Sequence, residues 1–317
     1  MILVVGIPSE PPVRRVLDAA EAQGIEVVLL NPREAAHADL LLHQSGGHAR
    51  LMLHRAGALR DLSQARGVYT RLGTEQGLPE YHRGTTEARA RIAAWHGLLN
   101  DWMETTPVPV LNRIKACNSN MSKPYQARII AACGLAVPET LVTNDPEAAR
   151  AFRARHGTVI FKSISAHRSI VRKLEGSHLA RLSQLRCLPV QFQQWVEGTD
   201  IRVHVIGEAV FATRIESTAE DYRYARHDGE AAEYTPTRLP SEIEDACRRL
   251  SRRLDLPLCG IDLRQTPDGR YICFEVNPSP AYSCYEEQTG QPISHAIVRW
   301  LATGGGGVAE AAVECTG

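Results

Sequence analysis

The chain has 317 residues, 44% of them hydrophobic and 23% charged, with 36 Lys plus Arg against 36 Asp plus Glu. That length suits two or three lobes, and the balanced charge gives no general attraction for nucleic acid or a membrane, so any grip on an anion is local. No apolar run is long enough to span a bilayer, the opening MILVVGIPSE lacks a signal-peptide pattern, and the eight cysteines show no CxxC or metal-finger spacing, which together point to a reducing cytoplasm.

Residues 1–110 read as an α/β unit. Ile2–Val5 and Ile25–Leu30 are short apolar strands separated by a helix at Pro12–Gln23 that Gly24 closes. The Gly6-Ile7-Pro8-Ser9 turn is too poor in glycine for a phosphate loop. Val68–Leu72 is a further strand, and Thr85–Glu104 a long helix with Trp95, Leu98, Leu99 and Trp102 on one face. Pro107–Asn112 reads as a connector. In a second unit, residues 111–189, Ser122 caps a helix that runs to Cys133, Asn144-Asp145-Pro146 starts another, and Thr158–Ser163 and Ser169–Leu174 form a hairpin around Ile164–Arg168. A third unit, residues 190–302, opens with strands at Val190–Val196 and Asp200–Ile206. Gly207-Glu208 turns the chain into Ala209–Ile215. Ser217–Tyr234 reads as an exposed loop, Ser241–Leu254 as an amphipathic helix, Leu258–Arg264 and Arg270–Asn277 as paired strands, and Pro292–Ala302 as the last helix. Residues 303–317 read as a flexible tail.

Chemistry concentrates at Asp262, Glu275 and Asn277. Period-2 geometry puts Glu275 and Asn277 on one face, and Asp262 can face them from the neighbouring strand. Two carboxylates and an amide oxygen converging on a sheet call for a cation, and oxygen donors of this kind suit Mg²⁺; ion pairs with arginine are the structural alternative. Lys162 ends the apolar strand Val159-Ile160-Phe161 and needs an anion, either a phosphate or a structural carboxylate. Lys123 opens a helix and fits a phosphate or plain solvent equally. Gln193-Gln194-Trp195-Val196 is an extended segment whose backbone can read an adenine edge. Asp200 and Arg202 alternate on the next strand, and Arg214 on the return strand has similar inward placement. Arginines there can stabilise a phosphoryl group in transfer, while an Asp200–Arg202 ion pair is the alternative.

The order Lys123, Lys162, Gln193–Val196, Arg202, Arg214, Asp262, Glu275, Asn277 resembles the ATP-grasp superfamily, in its RimK-like branch. The stretches CNSNMSKPYQARIIAACGLAVPETLVTNDPEAARAF and GTDIRVHVIGEAVFATRIES are similar to the graspetide (microviridin-type) peptide macrocyclases of that branch. The resemblance covers roughly residues 111–302. It implies an α/β (α+β) ATP-grasp fold: an N-terminal pre-ATP-grasp lobe, a small central lobe and a C-terminal antiparallel-sheet lobe. It implies an ADP-forming ligase that joins a carboxylate to an amine, or less often a hydroxyl, through an acyl phosphate, on a peptide or amino-acid substrate. A small-molecule dipeptide ligase and a kinase that stops at phosphoryl transfer would use the same nucleotide residues.

By the same resemblance, Lys123 and Lys162 hold the α- and β-phosphates of ATP, and Gln193, Gln194, Trp195, Val196 and Asp200 line the nucleotide. Asp262, Glu275 and Asn277 hold two Mg²⁺ ions, and Arg202 and Arg214 act on the γ-phosphoryl group. Arg223, with Asp221 and Tyr222, is the candidate for a substrate carboxylate, a solvated loop being the alternative. Related enzymes are often dimers. Two features depart from the family: Ser163–Arg168 contains no glycine, although His167 and Arg168 could reach phosphates, and Ser279-Pro280 follows Asn277-Pro278 where the macrocyclases have Gly-Gln after Asn-Pro. Cys284 has no base nearby and reads as a spectator thiol.

Overall fold

A computed structural model describes residues 1–55, 57–164, 171–217 and 232–306. The N-terminal part comprises β1 (Ile2–Val5), α1 (Pro11–Ala22), β2 (Val27–Leu30), β3 (Asp39–Ser45), β4 (His48–Arg55), β5 (Ala58–Asp61), β6 (Val68–Thr70), α2 (Pro79–Arg83), α3 (Thr86–Thr105) and β7 (Val110–Leu111). The strands β2-β1-β6-β7 form a parallel sheet, each joined to the next through a helix or the small sheet. Val110 and Leu111, read as a connector, are its buried fourth strand. The antiparallel sheet β3-β4-β5 was not expected; its first hairpin turns on Gly46-Gly47, both at positive φ (56° and 81°), which glycine adopts without strain. Thr85 caps α3 by accepting the N–H of Ala88, and the helix buries Trp95, Leu99 and Trp102.

Next come α4 (Ile114–Cys117), α5 (Lys123–Ala132), β8 (Thr140–Thr143), α6 (Pro146–His156), β9 (Val159–Lys162), β10 (Arg172–Lys173), α7 (Ser177–Ala180) and β11 (Val190–Gln194). The sheet order is β10-β9-β11-β8, all antiparallel. A boundary at residue 190 is therefore corrected: β11 pairs with β8 and β9 and closes this sheet. The helix α5 also sits differently, because Ile130, Cys133 and Leu135 belong to the core of the sheet that follows.

That last sheet has the order β14-β13-β12-β15-β16, built from β12 (Thr199–Ile206), β13 (Ala209–Ser217), β14 (Ala232–Thr237), β15 (Leu258–Gln265) and β16 (Tyr271–Asn277), with α8 (Ser241–Arg253), α9 (Ser283–Thr289) and α10 (Ile293–Ala302). The expected loop Ser217–Tyr234 is corrected at its end, where β14 adds an edge strand and Pro236 falls on that edge, a place where a sheet tolerates proline. Val203, Val205, Ile261 and Val276 face α8 and α5. Ile206, Ile215 and Leu258 join α9, α10 and α1 in a second core that ties the two ends of the described chain together.

Asn112 fastens the N-terminal unit to this sheet. Its side-chain nitrogen donates to the carbonyls of Leu258 (2.5 Å) and Pro278 (2.6 Å), and its oxygen accepts from the Leu258 N–H (3.2 Å), all buried. Replacing it by alanine orphans these groups. Asn112→Ala is expected to lower the unfolding free energy by about 2–4 kcal/mol, measured by urea denaturation followed by circular dichroism.

Candidate active site

The register of the five-stranded sheet sets the site. Arg202 lies opposite Asp262, and Asp262 opposite Glu275; His204 lies opposite Gly260, and Gly260 opposite Asn277. Opposed residues share a face, so Arg202, His204, Asp262, Glu275 and Asn277 stand on one side, while Ile201, Val203, Ile261 and Val276 fill the core on the other. Two carboxylates directly opposed on neighbouring strands repel unless cations compensate. Two cations do: Arg202 pairs with Asp262 at 7% and 18% side-chain exposure, and Lys123 Nζ lies 3.2 Å from Glu275 at 13% and 23%.

Arg202 reaches Asp262 by lying across Gly260, where a β-carbon would overlap the guanidinium. A ladder irregularity between Asp262 and Leu263 leaves Phe274 as an extra residue, and Phe274 meets Arg264, whose guanidinium is 5.3 Å from its ring centroid. For a divalent cation the donor set is two carboxylates and one amide oxygen. Asn277 Oδ1 accepts the Ser279 N–H (2.9 Å), which fixes the amide while leaving a second lone pair. Among the described residues no three His, Cys, Asp or Glu side chains gather for a metal, so a purely protein-made cage is absent there. An incomplete oxygen set suits Mg²⁺, which retains water and phosphate oxygens as ligands.

One residue that the sequence reading missed positions this face. Gln126, one turn after Lys123 on α5, donates from Nε2 to the Val276 carbonyl (2.8 Å) and accepts the Val276 N–H at Oε1 (2.9 Å). Its amide thus pairs with β16 as a strand would, between Glu275 and Asn277, and it sets the distance from which Lys123 meets Glu275. Ser122 caps the helix by accepting from the Tyr125 N–H, as expected. The sequence carried no signal for it, since a glutamine on a helix is ordinary until its partner strand is known.

The hinge differs from expectation in its partners. Asp200 does not pair with Arg202; both its oxygens accept from Arg264 (2.8 and 2.9 Å), a bidentate pair across β12 and β15. Arg264 also donates to the Val196 carbonyl (2.8 Å), and the Trp195 N–H donates to the Thr158 carbonyl (3.1 Å), so those two backbone groups are engaged within the protein. The Trp195 ring meets two cations, Lys173 at 5.0 Å and Arg264 at 5.2 Å. Lys162 is buried opposite Gln191 and shares its face with Gln193, while Phe161 and Phe192 turn to the opposite core. Gln193 donates to Thr140 (3.1 Å); Gln194, next on the strand, turns to the other face.

Arg214 is a correction. It lies opposite Ile201, not Arg202, and so sits on the other face of the sheet, where it contacts Glu216 (2.8 Å) and Thr199 (3.4 Å). The alternation of β13 decides this, since Thr213 is the residue that faces Arg202. Asp221, Tyr222 and Arg223 lie outside the described residues, as do His167 and Arg168 and the tail beyond residue 306.

A family model of the RimK-like ATP-grasp domain matches residues 122–301, more than half of the chain. The chain belongs to the RimK-like ATP-grasp family. Among curated proteins it is 30% identical over 146 residues to a probable alpha-L-glutamate ligase of Xanthomonas euvesicatoria, and 30% over 147 residues to the ribosomal protein bS6–L-glutamate ligase of Escherichia coli. Each match covers 46% of this chain and 46% of the relative, so the chain matches about half the length of these relatives. Among solved structures, the ATP-grasp ligase PsnB, complexed with a phosphomimetic variant of its minimal precursor, Mg and ADP, superimposes with a TM-score of 0.79 at 26% identity over 96% of this chain and 98% of its own. The macrocyclase MdnC of Microcystis aeruginosa, bound with the precursor peptide MdnA, gives 0.77 at 21% over 95% and 99% and shares the fold. The expected ATP-grasp fold is thus the observed one.

The site also carries a titratable core residue. His204 is fully buried, with neither ring nitrogen hydrogen-bonded among the described residues, and it meets the Tyr285 ring edge-on at 4.9 Å. Burial, and then the Arg202 charge, pushes its pKa well below the ordinary 6.5, so the folded protein holds it neutral. The unfolded chain takes up the proton first. Stability is therefore full above about pH 6.5 and is lost as pH falls through that value toward the folded-state pKa. His204→Gln is expected to flatten this loss between pH 7 and 5, read from urea midpoints across pH.

Proposed function

We propose that the protein is an ATP-dependent ligase that joins a carboxylate to an amine, with an acyl phosphate as the intermediate, on a peptide or amino-acid substrate. The observation that carries this reading is the face of β12, β15 and β16, where Asp262 and Glu275 oppose each other under Arg202 and Lys123. Relatives named as glutamate ligases, and ATP-grasp ligases solved with ADP, Mg and precursor peptides, support it. ATP would lie between this face and the Lys162–Gln193 face of β9 and β11, with adenine against Gln193–Val196. The Val196 N–H and the Trp195 carbonyl are the hinge groups assigned to its edge, since the Trp195 N–H and the Val196 carbonyl already have partners.

Asp262, Glu275 and Asn277 would hold two magnesium ions, which supply charge neutralisation of the phosphates when bound. Lys123 then exchanges Glu275 for a phosphate oxygen, and Lys162 contributes a second positive charge from the facing sheet. Arg202, released from Asp262, stabilises negative charge on the γ-phosphoryl group as the carboxylate oxygen attacks it and ADP leaves. The amine then attacks the acyl carbon and phosphate departs. Asp200 is assigned to holding Arg264 against the hinge, and Arg214 receives no role in phosphoryl transfer. The work of these residues is positioning and charge, and no covalent nucleophile is involved. Free thiols, including the exposed Cys187, fit a cytoplasmic setting.

Release of ADP and phosphate that requires both a carboxylate and an amine is the test, because a kinase would leave a stable phosphorylated product. Asp262→Asn and Glu275→Gln are each expected to lower ATP turnover by about 100-fold or more. Gly260→Ala, which displaces Arg202 without removing it, is expected to cost at least about tenfold in kcat with a smaller change in the KM for ATP. Normal turnover in Asp262→Asn would remove the metal assignment.

A further inference from the structure

The parallel sheet has a crevice that the nucleotide site does not use. From β1 the chain crosses through α1 to β2 on one side, and from β6 through α3 to β7 on the other, so the strand order reverses between β1 and β6. Open α/β sheets bind ligands at the carboxyl ends of the strands at such a point. Here a cavity of about 580 Å³ opens there, lined by Ile7 and Glu10 after β1, by Thr70 at the end of β6 and Arg71 to Gly73 after it, and by Pro278 and Ser279 just past Asn277. That volume is ordinary for a small-molecule site.

Its charged groups are one of each sign. Arg71 Nε lies 3.2 Å from Glu10 Oε2, and the same guanidinium donates to Ser279 Oγ at 3.0 Å. The wall from α3 presents acceptors. His96 is buried, and its Nδ1 donates to the Ile92 carbonyl (3.0 Å), since a carbonyl can only accept; its Nε2 is then an acceptor. Asn100 Oδ1 is buried with no hydrogen-bond partner among the described residues. Leu72, Met103 and Ile114 supply apolar wall.

We propose that this crevice binds a free α-amino acid, the amine partner of the ligation, with its carboxylate on Arg71 and its ammonium on Glu10 and Asn100. A zwitterion replaces the internal Arg71–Glu10 pair with two pairs of its own, whereas a residue inside a peptide carries neither charge. The site adjoins the proposed metal face through one residue, because Ser279 accepts from Arg71 and gives its N–H to Asn277. The inference rests on the ligase reading and assigns its second substrate.

The test is thermal unfolding of the full chain with each common free amino acid at millimolar concentration, with Mg-ADP as a separate arm. At least one free amino acid is expected to raise Tm by about 3 °C or more, while its N-acetyl and amide derivatives do not. Arg71→Leu and the nearly isosteric Glu10→Gln are each expected to weaken that binding about tenfold or more while still responding to Mg-ADP, which shows that they are folded. The proposal is overturned if Mg-ADP stabilises the protein and no free amino acid does, if capped forms bind as well as free ones, or if both variants respond like the wild type. A protein indifferent to Mg-ADP overturns the ligase reading and this inference with it.

Discussion

Two carboxylates held face to face across one strand pair are the constraint around which the molecule is arranged. Asp262 and Glu275 are opposed by register, so their repulsion is built into the backbone and cannot be relieved by a rotamer change. The fold answers with cations from two directions: Arg202 from the neighbouring strand and Lys123 from a helix, 152 residues before Glu275 in the chain. Each answer needs its own support. Arg202 needs the bare backbone of Gly260 beneath it, and Lys123 needs Gln126 to stitch α5 to β16. The acidic face is therefore close to neutral on its own, so the metal and nucleotide proposed for it would exchange partners rather than neutralise it first.

The hinge follows the same logic. Arg264 grips Asp200 with two hydrogen bonds, holds the Val196 carbonyl with a third, and stacks on Trp195 and Phe274. Most of the planar guanidinium is thereby used, as a lysine at this position could not be. The bulge at Phe274 makes this possible, because without the extra residue that ring would point into the core with Val276.

Strand alternation made much of this readable in the sequence. Period two placed Asp262, Glu275 and Asn277 together, the Gly207-Glu208 turn located a hairpin, and Ser122 was legible as a cap because its neighbours named the helix. What was not legible has specific causes. Arg214 follows a turn, and whether it faces Arg202 or Ile201 depends on a pairing offset of one residue, which composition does not encode. Asp200 found Arg264 rather than Arg202 because cross-strand neighbours lie closer than alternate residues on one strand. Gln126 is unremarkable on a helix until β16 is laid beside it. The sheet β3-β4-β5 was missed although Gly46-Gly47 and Gly57 mark its two turns, and β11 looked like the start of a new unit because its partners lie earlier in the chain.

The distribution of apolar cores has a mechanical consequence. The cluster around α1 and α10 binds the first lobe to the last sheet, and the cluster under α8 extends to α5, so these parts share buried surface. The sheet of β8 to β11 keeps a core of its own, from Ala149 and Phe152 to Phe192, and meets the last sheet through the backbone bridge of Ala136 to Ile272 and the stack on Trp195. Among the described residues, tilting that sheet breaks polar contacts and leaves its core cluster whole, while moving the other parts would open a shared one. Cohesion thereby singles out one leaf, joined to the rest along an edge, with the remainder of the described chain as its frame.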